Sequence, residues 1–417
     1  MNHAYYDVVV IGGGVAGGEA SVRLSRRGLK TLLISKDPVV YSRMTLSYAL
    51  IHNVKDLKYY TIYTENDLKR EKVDFINDEV TYIDRDKRVI ETRKGLKIEY
   101  DRAVIATGGA PRKLDIEGIN LRGVYTFTSF DDIINISNAL YKSKRALVIG
   151  AGMIGLLATG ALVLRGLDVT LIDILERPGM TVFERPLADL MLKRLEMYGV
   201  KFIGGTSVEQ IKGRNRVERV VLNNGEKMYT DLIILAVGVS PIVPHGLEDL
   251  AKGPGNSLLT DDSFRTSDRN IYAIGDCAST IDLVTKRSVY RPLGIIASHS
   301  ARILPDIILE NRRYEGFLAY QVEETLRTIF IRLGLNSFEA RNLGLLLSRA
   351  RISVKTPGIG YIKNIILYER DSGRIVGWQN MGVHMTSYKS KIFEEMIRKK
   401  LIVYELEKKF REIQYID

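Results

Sequence analysis

Along the chain, short unbroken apolar runs alternate with stretches of helical period. Residues 6–11 (Tyr-Asp-Val-Val-Val-Ile) read as a hydrophobic first strand, and 16–27 as the helix that follows it. A second short strand is expected at 31–35, and another at 102–106 running into the turn Thr107-Gly108-Gly109. The unit then repeats. A strand at 146–149 leads into a glycine turn, the next strand is expected at 169–173, and helical periodicity returns at 130–140 and 187–198. Short strands broken by Asn223-Asn224-Gly225 occupy 207–230, a buried-type strand lies at 232–237, and another at 270–274 opens on Gly275-Asp276. Residues 292–309 read as helix. From about residue 317 the pattern changes: 319–332 looks helical, 352–354, 359–368 and 374–378 look like strands, and 386–400 helical again.

Strand–helix alternation followed by antiparallel strands predicts an α/β chain: two Rossmann-like dinucleotide-binding domains, one inserted in the other, plus a carboxy-terminal α+β domain. The expected boundaries are 1–115 with 250–315 for the first, 116–249 for the inserted second and 316–417 for the third. At 417 residues the chain exceeds one ordinary core, which agrees with that division.

Two strand–turn–helix junctions read GxGxxG. In the first, Gly12, Gly14 and Gly17 carry the pattern; in the second, Gly150, Gly152 and Gly155, with Ile154 inside it. The first glycine makes the turn, the second leaves room for a diphosphate, and the third lets helix and strand pack closely. Two such junctions imply two dinucleotides, and electron transfer is the usual reason to hold both. At the end of the second strand the first unit has Ser35, a neutral hydrogen-bonding group where an acid commonly receives the ribose hydroxyls. The second unit has Asp173, whose charge suits a ribose diol and repels a 2′-phosphate; NADH is therefore preferred over NADPH, with Arg177 nearby as the complication. The plainer reading of Asp173 is a capping or solvated acid.

In order, residues 8–17, 103–108, 148–155, 234–238 and 271–276 resemble the FAD-dependent pyridine nucleotide-disulfide oxidoreductase family. That resemblance implies FAD at the first junction and NAD at the second. It also implies contacts from Thr107, Gly108 and Gly238 at the strand ends, and from Asp276 to the ribityl and pyrophosphate region. Residues 41–48 (Tyr-Ser-Arg-Met-Thr-Leu-Ser-Tyr) resemble the NADH oxidase and rubredoxin or ferredoxin reductase branch. Arg43, Thr45 and Ser47 are candidate flavin contacts there, against exposure, capping or packing as plainer roles. Disulfide- and peroxide-reducing members carry a cysteine where this chain has Met44, which forms neither a thiolate nor a sulfenic acid. Tyr48 replaces a lysine and Leu157 a glutamate of the resembled family. No residue is singled out as a catalytic acid or base, because the cofactors carry the chemistry.

Composition narrows this further. The single cysteine, Cys277, excludes an intrachain disulfide and a multi-cysteine metal or iron–sulfur site; a small buried residue is the plainer reading than a reactive thiol. The five histidines form no metal-spaced cluster, so no metal is expected; His384 alone stands out. A formal charge of +11 favours an acidic partner or a dispersed basic surface, without the stripe or motif of a nucleic-acid binder. A cytoplasmic location is expected, and the Ile-, Glu-, Lys- and Arg-rich composition suggests a thermophile. Residues 391–402 are amphipathic and basic at their end; packing in a dimer domain is favoured over membrane attachment. Trp378 is a core or interface anchor.

The expected activity is an FAD-dependent NAD(P)H oxidoreductase. It passes hydride from NADH to flavin, then electrons to a non-disulfide acceptor: a small acidic electron-transfer protein, a quinone, a dye or oxygen. A homodimer is implied by the resemblance. The alternative is a non-catalytic nucleotide-binding flavoprotein, an assembly or sensor subunit, since Met44, Tyr48 and Leu157 replace active groups.

Overall fold

The computed structural model describes residues 4–356, 360–382 and 387–405. Its contacts sort the chain into two units. One joins Met1–Leu46, Val54–Arg112 and Val239–Phe317; the other joins Ser47–Asn53, Lys113–Gly238 and Leu318–Asp417.

The first unit is built on a sheet whose parallel part runs Val73–Asn77, Thr31–Ser35, Ala4–Ile11, Lys97–Ile105, Ile271–Ala273. Antiparallel strands Val89–Thr92 and Val80–Asp84 extend it from the first half of Lys97–Ile105. Both faces are covered, which is why Val8–Ile11 of the opening strand form an unbroken apolar run. Val8 and Val10 point into a core with Ala16, Ala20 and Leu24 of the helix Val15–Arg26 and with Ala301, Leu304 and Ile307 of the helix Gly294–Glu310. Tyr6, Val9 and Ile11 face the opposite core with Ile34, Ile83, Ile90 and Cys277. Pro305 lies inside Gly294–Glu310, and Asn311 ends that helix in the left-handed conformation at φ 53°.

The second unit repeats the design with five parallel strands in the order Val124–Thr126, Leu232–Leu235, Arg145–Ile149, Asp168–Ile172, Lys201–Ile203. Helices Phe130–Leu140, Met153–Leu164 and Arg185–Met197 accompany it, and an antiparallel trio from Val208–Lys212 to Lys227–Tyr229 adds a further layer. The same unit contains a five-stranded antiparallel sheet ordered Tyr320–Thr325, Thr328–Gly334, Ile375–Gly382, Gly360–Glu369, Leu347–Thr356.

One expectation is corrected here. Residues 319–332 do not form a helix; they form a hairpin of Tyr320–Thr325 and Thr328–Gly334. Its two-residue turn is Leu326-Arg327, with φ of 48° and 54°. Turns of that geometry are usually announced by Asn or Gly; here two residues with ordinary side chains take positive φ, so the turn signal is hidden. Trp378 is a core residue of this sheet. It is fully buried, stacks on Phe393 with centroids 4.6 Å apart, and donates from Nε1 to Asn364 Oδ1 at 3.2 Å. The helix Ser387–Arg398 thus buries Phe393, Met396 and Ile397 against the sheet. His384 lies outside the described residues.

Candidate active site

In the first unit, three neighbouring parallel strands end side by side at Ile11, Ile105 and Ala273, and each feeds a turn carrying an expected site residue. At Gly12 the chain takes φ +110° and passes so close to the next strand that a Cβ would stand 2.3 Å from the Ala106 carbonyl oxygen. A Cβ on Gly17 would meet the Gly12 carbonyl oxygen at 1.8 Å. These two glycines are therefore required by the protein's own packing. Gly14 is different: among the described residues a Cβ there meets nothing within 4 Å. It precedes the helix Val15–Arg26 without any side-chain cap, so the first amides of that helix face open space. Uncapped amides, the positive helix end and room at the second glycine fit the diphosphate of a dinucleotide. Ser35 is buried, and its Oγ accepts from the Asp37 amide at 3.1 Å. It lies 2.3 Å from the position of a Cβ on Gly13, directly beneath the loop.

The other turns supply polar groups. Asp276, in the short turn Gly275–Cys277, is partly buried, and its carboxylate takes no hydrogen bond from the described residues. Burial pushes its acidity constant up, and the Arg43 guanidinium opposes that shift. A partly buried carboxylate left without protein donors suits hydroxyl donors from a ligand, and ribityl hydroxyls would supply them, so these residues fit FAD. Arg43 is exposed and donates from Nη1 to the Gly109 carbonyl at 2.8 Å, tying its segment to the Thr107–Gly109 turn. In that turn Thr107 Oγ1 donates to the Ile242 carbonyl at 2.6 Å, and Gly108, at φ +73°, accepts from the Ile242 amide at 2.9 Å. Thr45 spends its hydroxyl locally, donating to the Ser42 carbonyl at 2.7 Å. Met44 is 48% exposed, and its Sδ lies 2.6 Å from the position of a Cβ on Gly294, where the helix Gly294–Glu310 opens without a side-chain cap. Cys277 is fully buried; its Sγ lies 3.3 Å from the carbonyls of Ile105 and Ile274. Burial pushes its thiol up to about 11, against the lowering effect of a hydrogen bond with Thr107.

In the second unit the cradle recurs. Gly150 has φ +101° and approaches the Ala236 carbonyl, Gly155 approaches the Gly150 carbonyl, and a Cβ on Gly152, before the uncapped helix Met153–Leu164, would meet only a van der Waals contact at 3.9 Å among the described residues. Ile154 sits half-buried in the first turn of that helix. The difference from the first cradle lies in the acid. Asp173 accepts from the Ala151 amide at 2.5 Å through Oδ2 and from the Leu175 amide at 2.7 Å through Oδ1. The carboxylate thus braces the glycine loop, and each oxygen keeps a lone pair for a ribose hydroxyl. Arg177 is engaged with Asp189 at 2.9 Å and with the Glu176 carbonyl. Gly238, at φ +94°, follows the strand Leu232–Leu235. Ser47 is buried on the helix Leu46–Ile51 and belongs to this unit, not to the unit of Arg43 and Thr45. That helix is held at its end by Arg165 Nη1, which donates to the Leu50 carbonyl at 2.7 Å.

Two features escaped the sequence. Glu323, on the hairpin strand Tyr320–Thr325, is a half-buried carboxylate, pushed up to about 7 by desolvation; the helical reading of its segment concealed it. Thr181 has its Oγ1 3.9 Å from the position of a Cβ on Gly152, and no pattern announces a residue from a loop. Among the described residues no group of three His, Cys, Asp or Glu is placed to hold a metal ion, and no helix is long and apolar enough to cross a membrane.

Residues 6–288 match the family model described as pyridine nucleotide-disulphide oxidoreductase. The chain is 35% identical over 280 residues to a rubredoxin-NAD(+) reductase of Pseudomonas putida, covering 65% of this chain and 71% of that one. It is 27% identical to an NADH oxidase of Methanocaldococcus jannaschii, over 95% of this chain and 92% of the relative. A solved NAD-dependent persulfide reductase from A. fulgidus superposes with a TM-score of 0.88 at 29% identity, covering 96% of this chain and 78% of the other. The chain belongs to the pyridine nucleotide-disulphide oxidoreductase family, as an FAD-dependent NAD(P)H oxidoreductase whose cofactors are FAD and NAD(H).

Proposed function

We propose that the protein oxidises NADH and hands the electrons to a non-disulfide acceptor, foremost a small acidic electron-transfer protein. The observation that carries this reading is the state of its sulfur. The only thiol, Cys277, is sealed in the core with its acidity constant raised to about 11, and position 44 is a methionine. A thiol held protonated and without solvent access neither attacks a disulfide nor forms a sulfenic acid.

In this reading FAD, held by the first cradle, supplies the chemistry of accepting hydride and releasing electrons. The chain's own groups bind and orient. The amides at Gly14–Ala16 receive the diphosphate, Asp276 accepts from the ribityl hydroxyls, and Arg43 adds positive charge beside it. Asp173 receives the ribose of the second nucleotide and disfavours an added phosphate. Arg177 is already paired with Asp189, which supports NADH over NADPH. The formal charge of +11 supports an acidic partner, by electrostatic steering, over a neutral one. The same reading has the carboxy-terminal part pair two copies, which light scattering of the holoenzyme measures.

The test is NADH-driven reduction of an acidic iron–sulfur or rubredoxin-type protein, beside a quinone and a disulfide, before and after thiol alkylation. Reduction of the acidic protein that weakens as salt rises and ignores alkylation is expected. Rapid disulfide reduction abolished by alkylation would overturn the reading.

A further inference from the structure

Thr181 lies in the loop between the strand Asp168–Ile172 and the helix Arg185–Met197. Among the described residues, only its Oγ1 comes within 4 Å of the position a Cβ on Gly152 would take, at 3.9 Å. The residue is half-buried, and its hydroxyl makes no hydrogen bond among the described residues. It therefore stands beside Gly152, in the second cradle, with a donor to spare.

The loop is fixed from two sides. On one, the Gly179 amide donates to the Ala151 carbonyl at 2.8 Å, which ties it to the glycine turn itself. On the other, buried amides of the antiparallel sheet and its connecting segment grip its backbone. Asn336 Nδ2 donates to the Thr181 carbonyl at 2.9 Å and to the Val182 carbonyl at 3.1 Å, and Gln379 Nε2 donates to the Val182 carbonyl at 3.1 Å. Gln379 Oε1 also accepts from the Glu184 amide at 2.8 Å, and both amide residues are fully buried. Four hydrogen bonds between two buried side chains and one short loop, three donated by the side chains and one accepted, exceed what covering a surface requires.

We infer that the Thr181 hydroxyl donates to the diphosphate of the nicotinamide nucleotide over Gly152, and that Asn336 and Gln379 are positioning residues that hold it there. The inference rests on the reading of the second cradle as the NADH site. It makes the carboxy-terminal sheet a working part of nucleotide binding and not only a packing layer. A hydroxyl on a charged oxygen adds to the helix amides a donor that leaves net charge unchanged.

Calorimetric binding of NAD+ and of ADP-ribose to the oxidised holoenzyme tests this without turnover. Thr181→Val keeps the shape and removes the donor, and should weaken both ligands about tenfold; Thr181→Ser should restore most of the affinity. Asn336→Asp keeps the acceptor that caps the Glu339 amide but loses both donors to the loop. It should weaken binding in the same direction, and the Thr181→Val, Asn336→Asp pair should be little worse than Thr181→Val alone. Thr181→Val binding both ligands within twofold of the wild type would overturn the inference while leaving the nucleotide site standing. Wild-type protein with its flavin in place that binds neither ligand would overturn the inference together with the site.

Discussion

Gly14 and Gly17, three residues apart, predict opposite outcomes for one substitution. Gly14→Ala adds a methyl where the chain has nothing within 4 Å, so the apoprotein should melt within a degree or two of wild type. The methyl would enter the diphosphate space, and FAD affinity should fall by roughly tenfold or more, read by flavin release during dialysis. Gly17→Ala forces a Cβ to 1.8 Å from the Gly12 carbonyl oxygen and should prevent a stable fold. The division of labour among the glycines was legible from their spacing; the contacts that make Gly12 and Gly17 irreplaceable, with the Ala106 and Gly12 carbonyls, were not. Asp173 shows the same limit. Its place at a strand end was legible, its two bonds to the loop amides were not. Asp173→Ala should therefore weaken NADH by about 1.5–3 kcal/mol and narrow the margin over NADPH. Steady-state KM values for both nucleotides measure this; unchanged values would remove Asp173 from the ribose site.

At the scale of elements, the parallel strands were readable because burial on both faces leaves an unbroken apolar run, as in Val8–Ile11. The hairpin at Tyr320–Gly334 was not readable, since Leu326 and Arg327 carry positive φ without the usual residues. Misreading it hid Glu323. This carboxyl has its acidity constant raised from 4.5 to about 7 by burial, so between those values the folded state binds a proton that the unfolded state has released. Stability is then greatest below the unfolded value and falls as pH rises toward 7, by up to about 3 kcal/mol. Glu323→Gln should match wild type near pH 4.5 and melt higher at pH 8. The neighbouring phenol of Tyr48, whose acidity constant is raised by burial and then by Glu324 and Glu323, stays protonated over that range. Equal melting temperatures at pH 8 would refute the assignment.

For the whole molecule, two cradles of one design differ in the residue beneath the loop: the neutral Ser35 in one, the carboxylate of Asp173 in the other. The order of motifs made the division into nucleotide-binding parts legible. The company kept by the antiparallel sheet was not, because Asn336 and Gln379 act through loop carbonyls that leave no sequence pattern. On the proposed function, electrons entering from NADH find one redox centre and no second one in sulfur. Anaerobic titration of the oxidised holoenzyme with NADH, followed by its visible flavin absorbance, tests this most directly. About one equivalent of NADH per FAD should bleach the band completely, with the Cys277 thiol count unchanged. An endpoint near two equivalents, with a thiol appearing on reduction, would contradict it.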